Sequence, residues 1–332
     1  MIEFGTLAVP PPLKGGETAA ESEAQGFDVQ LFGDSQCLGP DAFGQLGLAA
    51  AATKKIKIMT GVTNLATRHP SVVASAFAAL QIGSEGRAIC GVGRGDSALL
   101  WIGQKPPRTA AFERDVGLLR NYLDGKKTNL NGWDSHLRWL PSYTVPRVPL
   151  DVFSSGARSL AFAAGIADYI TLSVGAAPER VRWALEIIDS ALATAGRRRS
   201  DIRVGAMVNI ILADDRQAAV KAVKPIVSLF AHMSSFPGNT LSDQPDKMQR
   251  VTSRLMQEYD YRFHGTQDQA APHLRYVDDE FADWFAVAGP PSYAVDRLGA
   301  LVELGLQHFY FTGGPKERLA KEVIPQVRGM RR

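Results

Sequence analysis

The sequence predicts an α/β protein folded as one (β/α)8 TIM barrel with insertions. Two observations carry that prediction. Short β-rich runs alternate strictly with helical segments of 3.6-residue periodicity, eight of each. No stretch rich in Gly, Ser or Pro divides the 332 residues, so a single domain over 1–332 is expected. Strict alternation implies parallel strands, because each return to the sheet needs a crossover helix. Eight units favour closure into a ring, with an open doubly wound sheet as the rival.

Taken in order, the first strand at 3–9 leads to a helix at 17–25, and the second at 28–33 to a helix at 41–52. The third strand, 56–64, precedes a helix at 71–82 that His69-Pro70 opens, proline being suited to the first helical position. The fourth, 88–93, precedes a helix at 111–123. The fifth and sixth strands, 150–154 and 169–173, feed helices at 157–166 and 179–195. The seventh, 203–212, feeds a helix at 217–233, and a last helix at 292–304 comes before the eighth strand at 308–311. Two stretches break this rhythm. Residues 129–149, with Trp133 and Trp139, read as a loop or short hairpin. Residues 234–279 are polar and hold Pro237, Gly238, Pro245, His264, Gly265, Pro272 and His273, and a lid or insertion is expected there.

Composition narrows the function. A net charge of +3, from 37 basic and 34 acidic residues, is too small to suggest a nucleic-acid partner. The runs Arg197-Arg198-Arg199 and Arg331-Arg332 read as solvated surface. Two cysteines, Cys37 and Cys90, exclude a disulfide framework and favour a reducing, cytoplasmic compartment. The first twelve residues lack a basic segment followed by an apolar one, and no uncharged apolar run reaches the roughly 20 residues that span a bilayer, so no membrane partner is expected.

In such a barrel the chemistry lies where strands end. Asp34, in Gly33-Asp34-Ser35-Gln36 after strand two, could move a proton or bind a ligand, although its position taken alone favours an N-cap or turn aspartate. Strand three ends in Thr60-Gly61-Val62-Thr63-Asn64, where Gly61 permits a bulge and Asn64 offers both donor and acceptor. Strand four runs into Gly91-Val92-Gly93-Arg94-Gly95-Asp96-Ser97, whose glycines let a ligand approach the backbone without matching the dinucleotide fingerprint. Ser155-Gly156 and Ser173-Val174-Gly175-Ala176 stand before helices, where free N–H groups and the helix dipole attract phosphate. His264 and His273 lack a third ligand at a recognisable spacing, so no metal site is expected.

Together, Thr60-Gly61-Val62-Thr63-Asn64, Thr67-Arg68-His69-Pro70, Ser84-Glu85-Gly86-Arg87 and Gly91 to Ser97 resemble the luciferase-like monooxygenase superfamily. The likeness is nearest to its coenzyme F420-dependent branch, methylenetetrahydromethanopterin reductase-like. Asp168 and the Ala288-Gly289-Pro290-Pro291 stretch look like further family features. The resemblance implies hydride transfer between F420 and a small organic substrate, with FMN and oxygen on the same barrel as the alternative and a non-catalytic binding subunit as a third reading. It implies a cis Gly61–Val62 peptide behind the cofactor ring, with Asn64, Gly93, Arg94 and Gly95 near the ring and side chain. Ser155, Gly156, Ser173, Gly175 and Ala176 would lie near the phosphate. Asp34 matches the family's acidic position, and a homodimer is expected. Ser35 departs from the histidine that several F420-dependent dehydrogenases carry there, which weighs against their alcohol-oxidising mechanism. Cys37 receives no role.

Overall fold

A computed structural model of the chain describes residues 1–144, 146–234 and 245–330. Arg331, Arg332, Pro237 and Gly238, each singled out above, lie outside the described residues, as do Val145 and the rest of 235–244.

All eight expected strands form: β1 (Glu3–Ala8), β2 (Val29–Phe32), β3 (Lys57–Thr60), β4 (Ala88–Val92), then, after a hairpin of β5 (Thr128–Leu130) and β6 (Trp133–Ser135), β7 (Leu150–Ser154), β8 (Tyr169–Leu172), β9 (Arg203–Leu212) and, beyond a short β10 (Val287–Gly289), β11 (His308–Gly314). The expected helices are α1 (Gly15–Ala24), α2 (Ala42–Ala52), α3 (Pro70–Gly83), α5 (Thr109–Leu123), α6 (Ala157–Ile166), α7 (Pro178–Thr194), α8 (Arg216–Met233) and α11 (Pro291–Glu303). A one-turn helix, α4 (Ser97–Leu100), follows the glycine run. The order β1-β2-β3-β4-β7-β8-β9-β11 returns to β1, all by neighbouring strands, which is the closed (β/α)8 barrel and excludes the open sheet.

The chain divides into two compact units. One comprises Leu7–Phe153 and Ile166–Tyr169. Within it β2, β3, β4 and β7 lie side by side in parallel, Gln30 opposite Ile58, Met59 opposite Ile89 and Cys90 opposite Leu150. The β2, β3 and β4 residues Leu31, Ile58 and Cys90 are fully buried, as continuous apolar runs covered on both faces should be. Arg120 and Arg147 converge on Asp168, whose carboxylate also accepts the Leu150 N–H at 2.8 Å, fastening the starts of β7 and β8. Asp168 therefore has a structural office.

The other unit comprises Met1–Thr6, Ser154–Gly165 and the described residues from Ile170 on. Here β11 lies between β1 and β9, and β9 pairs in addition with β8 and, near its end, with β10. Gly205 is obligatory in β9, because a Cβ there would stand 2.1 Å from the His308 carbonyl oxygen. The described part of the expected lid is not a bare loop. It contains α9 (Asp246–Glu258), and α10 (Asp279–Phe285) begins at its last residue. Met248, Val251 and Leu255 of α9 and Phe281 and Phe285 of α10 join Val220, Val223 and Val227 of α8 in one apolar cluster. Burying each such side chain contributes about 1.5–3 kcal/mol, so this layer is anchored. Among the described residues no helix is long and apolar enough to cross a membrane.

Candidate active site

At the end of β2 the chain turns through Gly33 and places Asp34 in a 7 % exposed position. Its Oδ2 accepts from the Thr63 hydroxyl at 2.6 Å and from Arg68 Nη1 at 2.6 Å. Arg68 is itself held, since its other nitrogen pairs with Asp41 and its guanidinium lies 4.5 Å from the Phe43 ring centroid. Asp34 thus binds β2 to the turn after β3. An acceptor already holding two donors is an anchor before it is a proton donor. Ser35 hydrogen-bonds Ser97, and Gln36 donates to the Ala98 carbonyl at 2.6 Å, hitching the same loop to α4.

Beyond β3 the Gly61–Val62 peptide is cis. Thr63 returns to the sheet, its N–H donating to the Gly91 carbonyl at 3.0 Å while its own carbonyl accepts from Gly93. The glycines of strand four owe their identity to this close passage. A Cβ on Gly91 would meet the Thr60 carbonyl oxygen at 2.1 Å, and one on Gly93 would meet Val62 Cγ2 at 2.8 Å. Gly95, at φ +85°, passes 3.1 Å from Asn64 Cβ by the same measure. The packing of one strand end on the next is by itself enough to require these glycines. Asn64 is buried and its Oδ1 accepts from the N–H groups of Ala66 and Thr67. Its oxygen is thereby committed to a turn, leaving the amide nitrogen for other partners. Arg94 donates to the Pro107 carbonyl, tying down the chain before α5, and burial lowers its pKa. His69 caps α3 through its Nδ1, as a local structural residue does.

Asp96 was not singled out as a site residue from sequence. It follows Gly95 directly, is 7 % exposed, and neither carboxylate oxygen has a hydrogen-bond partner. Desolvation by burial pushes its pKa up to about 7. A carboxyl poised there can hold or release a proton at neutral pH. The available signal was a carboxylate at the end of a glycine-rich strand terminus.

In the other unit, Gly156 donates weakly to Ser159 Oγ at 3.4 Å, and the Ser173 N–H is committed to the Ser154 carbonyl at 2.9 Å. Gly175 takes φ +82° and packs on Phe285, and the Ala176 N–H donates to the Phe285 carbonyl at 2.7 Å. The expectation of free N–H groups is corrected for Ser173 and Ala176, whose donors complete the protein's own backbone pairing. Ser155 is half-buried. His264 and His273 join His232, Tyr259 and Tyr261 in a stacked aromatic cluster, the His232 and Tyr259 centroids 4.2 Å apart. Burial, with neighbouring histidines adding to it, lowers the pKa of His232 and His264 to about 4. Among the described residues no group of three His, Cys, Asp or Glu side chains is placed to hold a metal ion. Cys37 is exposed, and Cys90 is buried with its thiol pushed far up by desolvation.

The chain matches the family model described as luciferase-like monooxygenase over residues 7–308. It is 27 % identical over 355 residues to the 5,10-methylenetetrahydromethanopterin reductase of Methanopyrus kandleri, covering 98 % of this chain and 97 % of that one. It is 26 % identical over 353 residues to the F420-dependent glucose-6-phosphate dehydrogenase of Microbacterium testaceum, covering 99 % and 93 %. The solved coenzyme F420-dependent tetrahydromethanopterin reductase of Methanopyrus kandleri superposes with a TM-score of 0.76 at 25 % identity, over 98 % of this chain and 99 % of that structure. With more than half its length matched by the family model and the same barrel in its solved relative, the chain belongs to the luciferase-like monooxygenase family.

Proposed function

We propose that the protein is an F420-dependent oxidoreductase that transfers a hydride between coenzyme F420 and a small organic substrate. The names of its relatives support the cofactor class. The observation that carries the reading is Asp96, a carboxyl without a protein partner at the end of β4, with a pKa near 7. F420 supplies the hydride when bound. Reduction of a neutral unsaturated substrate also consumes one proton, and Asp96 gives that proton up; in the reverse direction it takes it. Asp34, paired with Arg68, fixes the turn that presents Thr63 and Asn64. The Asn64 amide nitrogen binds ring or substrate, the Gly61–Val62 turn backs the ring, and Gly93, Arg94 and Gly95 frame it. A buried, unpartnered carboxyl beside a glycine-lined turn fits a ligand with polar ring edges.

The test is a titration of the purified protein with F420 and with FMN, followed by single-turnover kinetics of the wild type and Asp96→Asn. F420 is expected to bind and FMN not to. Asp96→Asn should retain affinity and lose about 10²–10⁴ in the rate of hydride transfer, the usual contribution of a positioned acid or base. Tight FMN binding with oxygen consumption, and none of F420, replaces this reading with the flavin monooxygenase. An unchanged rate in the variant removes Asp96 from the chemistry.

A further inference from the structure

The two faces of β11 differ in character. Phe309 and Phe311 are buried and stack on Phe4 of β1, with ring centroids 6.0 and 6.1 Å apart. Arg328 of the C-terminal helix Ile324–Arg328 covers Phe4 in turn, 5.4 Å from its ring centroid. That face of the strand therefore meets the helix layer, and alternation turns His308, Tyr310 and Thr312 toward the interior of the ring. Thr312 stands opposite Asn209 of β9 in the parallel register. Both lie toward the C-terminal ends of their strands, where a barrel carries its binding groups. The Asn209 amide nitrogen donates to Thr312 Oγ1 at 2.7 Å, and the residues are 2 % and 7 % exposed. Among the described residues this is the one hydrogen bond of either side chain, so the Thr312 hydroxyl proton, the second Asn209 N–H and Asn209 Oδ1 have no protein partner. Lower on the same face such groups do meet, His308 Nε2 pairing with Thr171 Oγ1 at 2.9 Å. Buried polar groups are ordinarily paired, so donors left over at the end of two strands call for a partner from outside the chain. Their same-face neighbours along the two strands are Met207, Ile211, Tyr310 and Gly314, none of them charged.

We propose that Asn209 and Thr312 bind the carbonyl oxygen of an uncharged ligand. Because Thr312 Oγ1 already accepts from Asn209, its proton is what it has to offer, and the bond it receives strengthens the bond it gives. The second Asn209 N–H is a further donor. A carbonyl oxygen has two lone pairs and accepts from both without bringing charge into apolar surroundings. A carboxylate or phosphate would be buried here with no cation among these neighbours to meet it. That the carbonyl compound is the hydride acceptor rests on the function proposed above; the binding site does not.

The experiment uses the full chain without cofactor and para-dimethylaminocinnamaldehyde, an unsaturated aldehyde whose absorption moves to the red when its oxygen accepts hydrogen bonds. The wild type is expected to bind it with a red shift. Thr312→Val, which keeps the shape and removes the hydroxyl, should lose most of that shift and bind about fivefold more weakly, as the loss of one hydrogen bond implies. Thr312→Ser should restore both. Asn209→Leu should reduce both. The carbonyl-free analogue para-dimethylaminostyrene should bind the wild type and Thr312→Val alike, and equal weakening of its binding overturns the proposal. Absence of aldehyde binding, binding without a red shift, or a shift undiminished in Thr312→Val overturns it as well. Should Thr312→Val fail to fold, an undiminished shift in Asn209→Leu overturns the site and a reduced one supports it. A red shift that depends on Thr312, in a protein that does not bind F420, defeats the cofactor reading and leaves the carbonyl site standing. F420 binding with no red shift of the aldehyde does the reverse.

Discussion

Asp34 and Asp96 are both buried carboxylates at strand ends, yet Asp34 has two donors and Asp96 has none. That difference decides their roles. Asp34→Asn would leave the Arg68 guanidinium short of a partner. Breaking a fully buried pair costs about 3–5 kcal/mol. Here about 2 kcal/mol is expected, because the Arg68 side chain is 24 % exposed and retains Asp41. Chemical denaturation measures the loss, and Thr63→Val in the same background should add less than its effect alone, since both bonds meet at one oxygen. Additive losses would show that Asp34 and Thr63 act separately. The sequence placed Asp34, Asn64 and the glycines at strand ends correctly. It could not reveal which acid would be paired, because Arg68 reaches Asp34 from 34 positions away along the chain and that reach depends on the pairing of β2 with β3.

Among the elements, the eight staves and their helices were legible because each carries its own periodicity. The layer of α9 and α10 was not, although Met248, Val251 and Leu255 are spaced three and four apart as one helical face. Polar residues and the prolines and glycines on either side outweighed that short signal. β10 was missed for a related reason: three residues, Val287–Gly289, are too few to show alternation, and their strand character comes from pairing with β9. The layer makes its own prediction. Phe281 is fully buried and contacts the rings of Trp284 and Phe285. Phe281→Ala should cost about 3–5 kcal/mol, the usual range for a large aromatic removed from a core. Hydrogen exchange should then quicken in α8, α9 and α10. Protection already absent in the wild type would show that burial in this cluster does not hold the layer in place.

At the scale of the whole molecule, stability against pH follows from groups that titrate differently in the folded and unfolded chain. His232 and His264 have pKa values lowered to about 4, first by burial and then by nearby histidines. Their neutral forms fit the fold, so the stability they contribute is full above the unfolded value near 6.5 and is lost as pH falls through 4. Asp96 works in the opposite sense. Its folded pKa is raised from 3.8 to about 7 by desolvation, so the fold is favoured while the carboxyl is protonated. That advantage is complete below pH 3.8 and is lost as pH rises through 7. About three pKa units correspond to roughly 4 kcal/mol. Asp96→Asn removes this one titration and leaves every other in place. The variant should therefore be more stable than the wild type by several kcal/mol at pH 8, with the difference shrinking toward zero near pH 4. Denaturant melts of both proteins across that range measure the difference directly, free of the histidines and the surface carboxylates. A gap that stays constant with pH would mean that the Asp96 carboxyl titrates alike in the folded and unfolded chain, and the acid assigned to the end of β4 would have to be sought elsewhere.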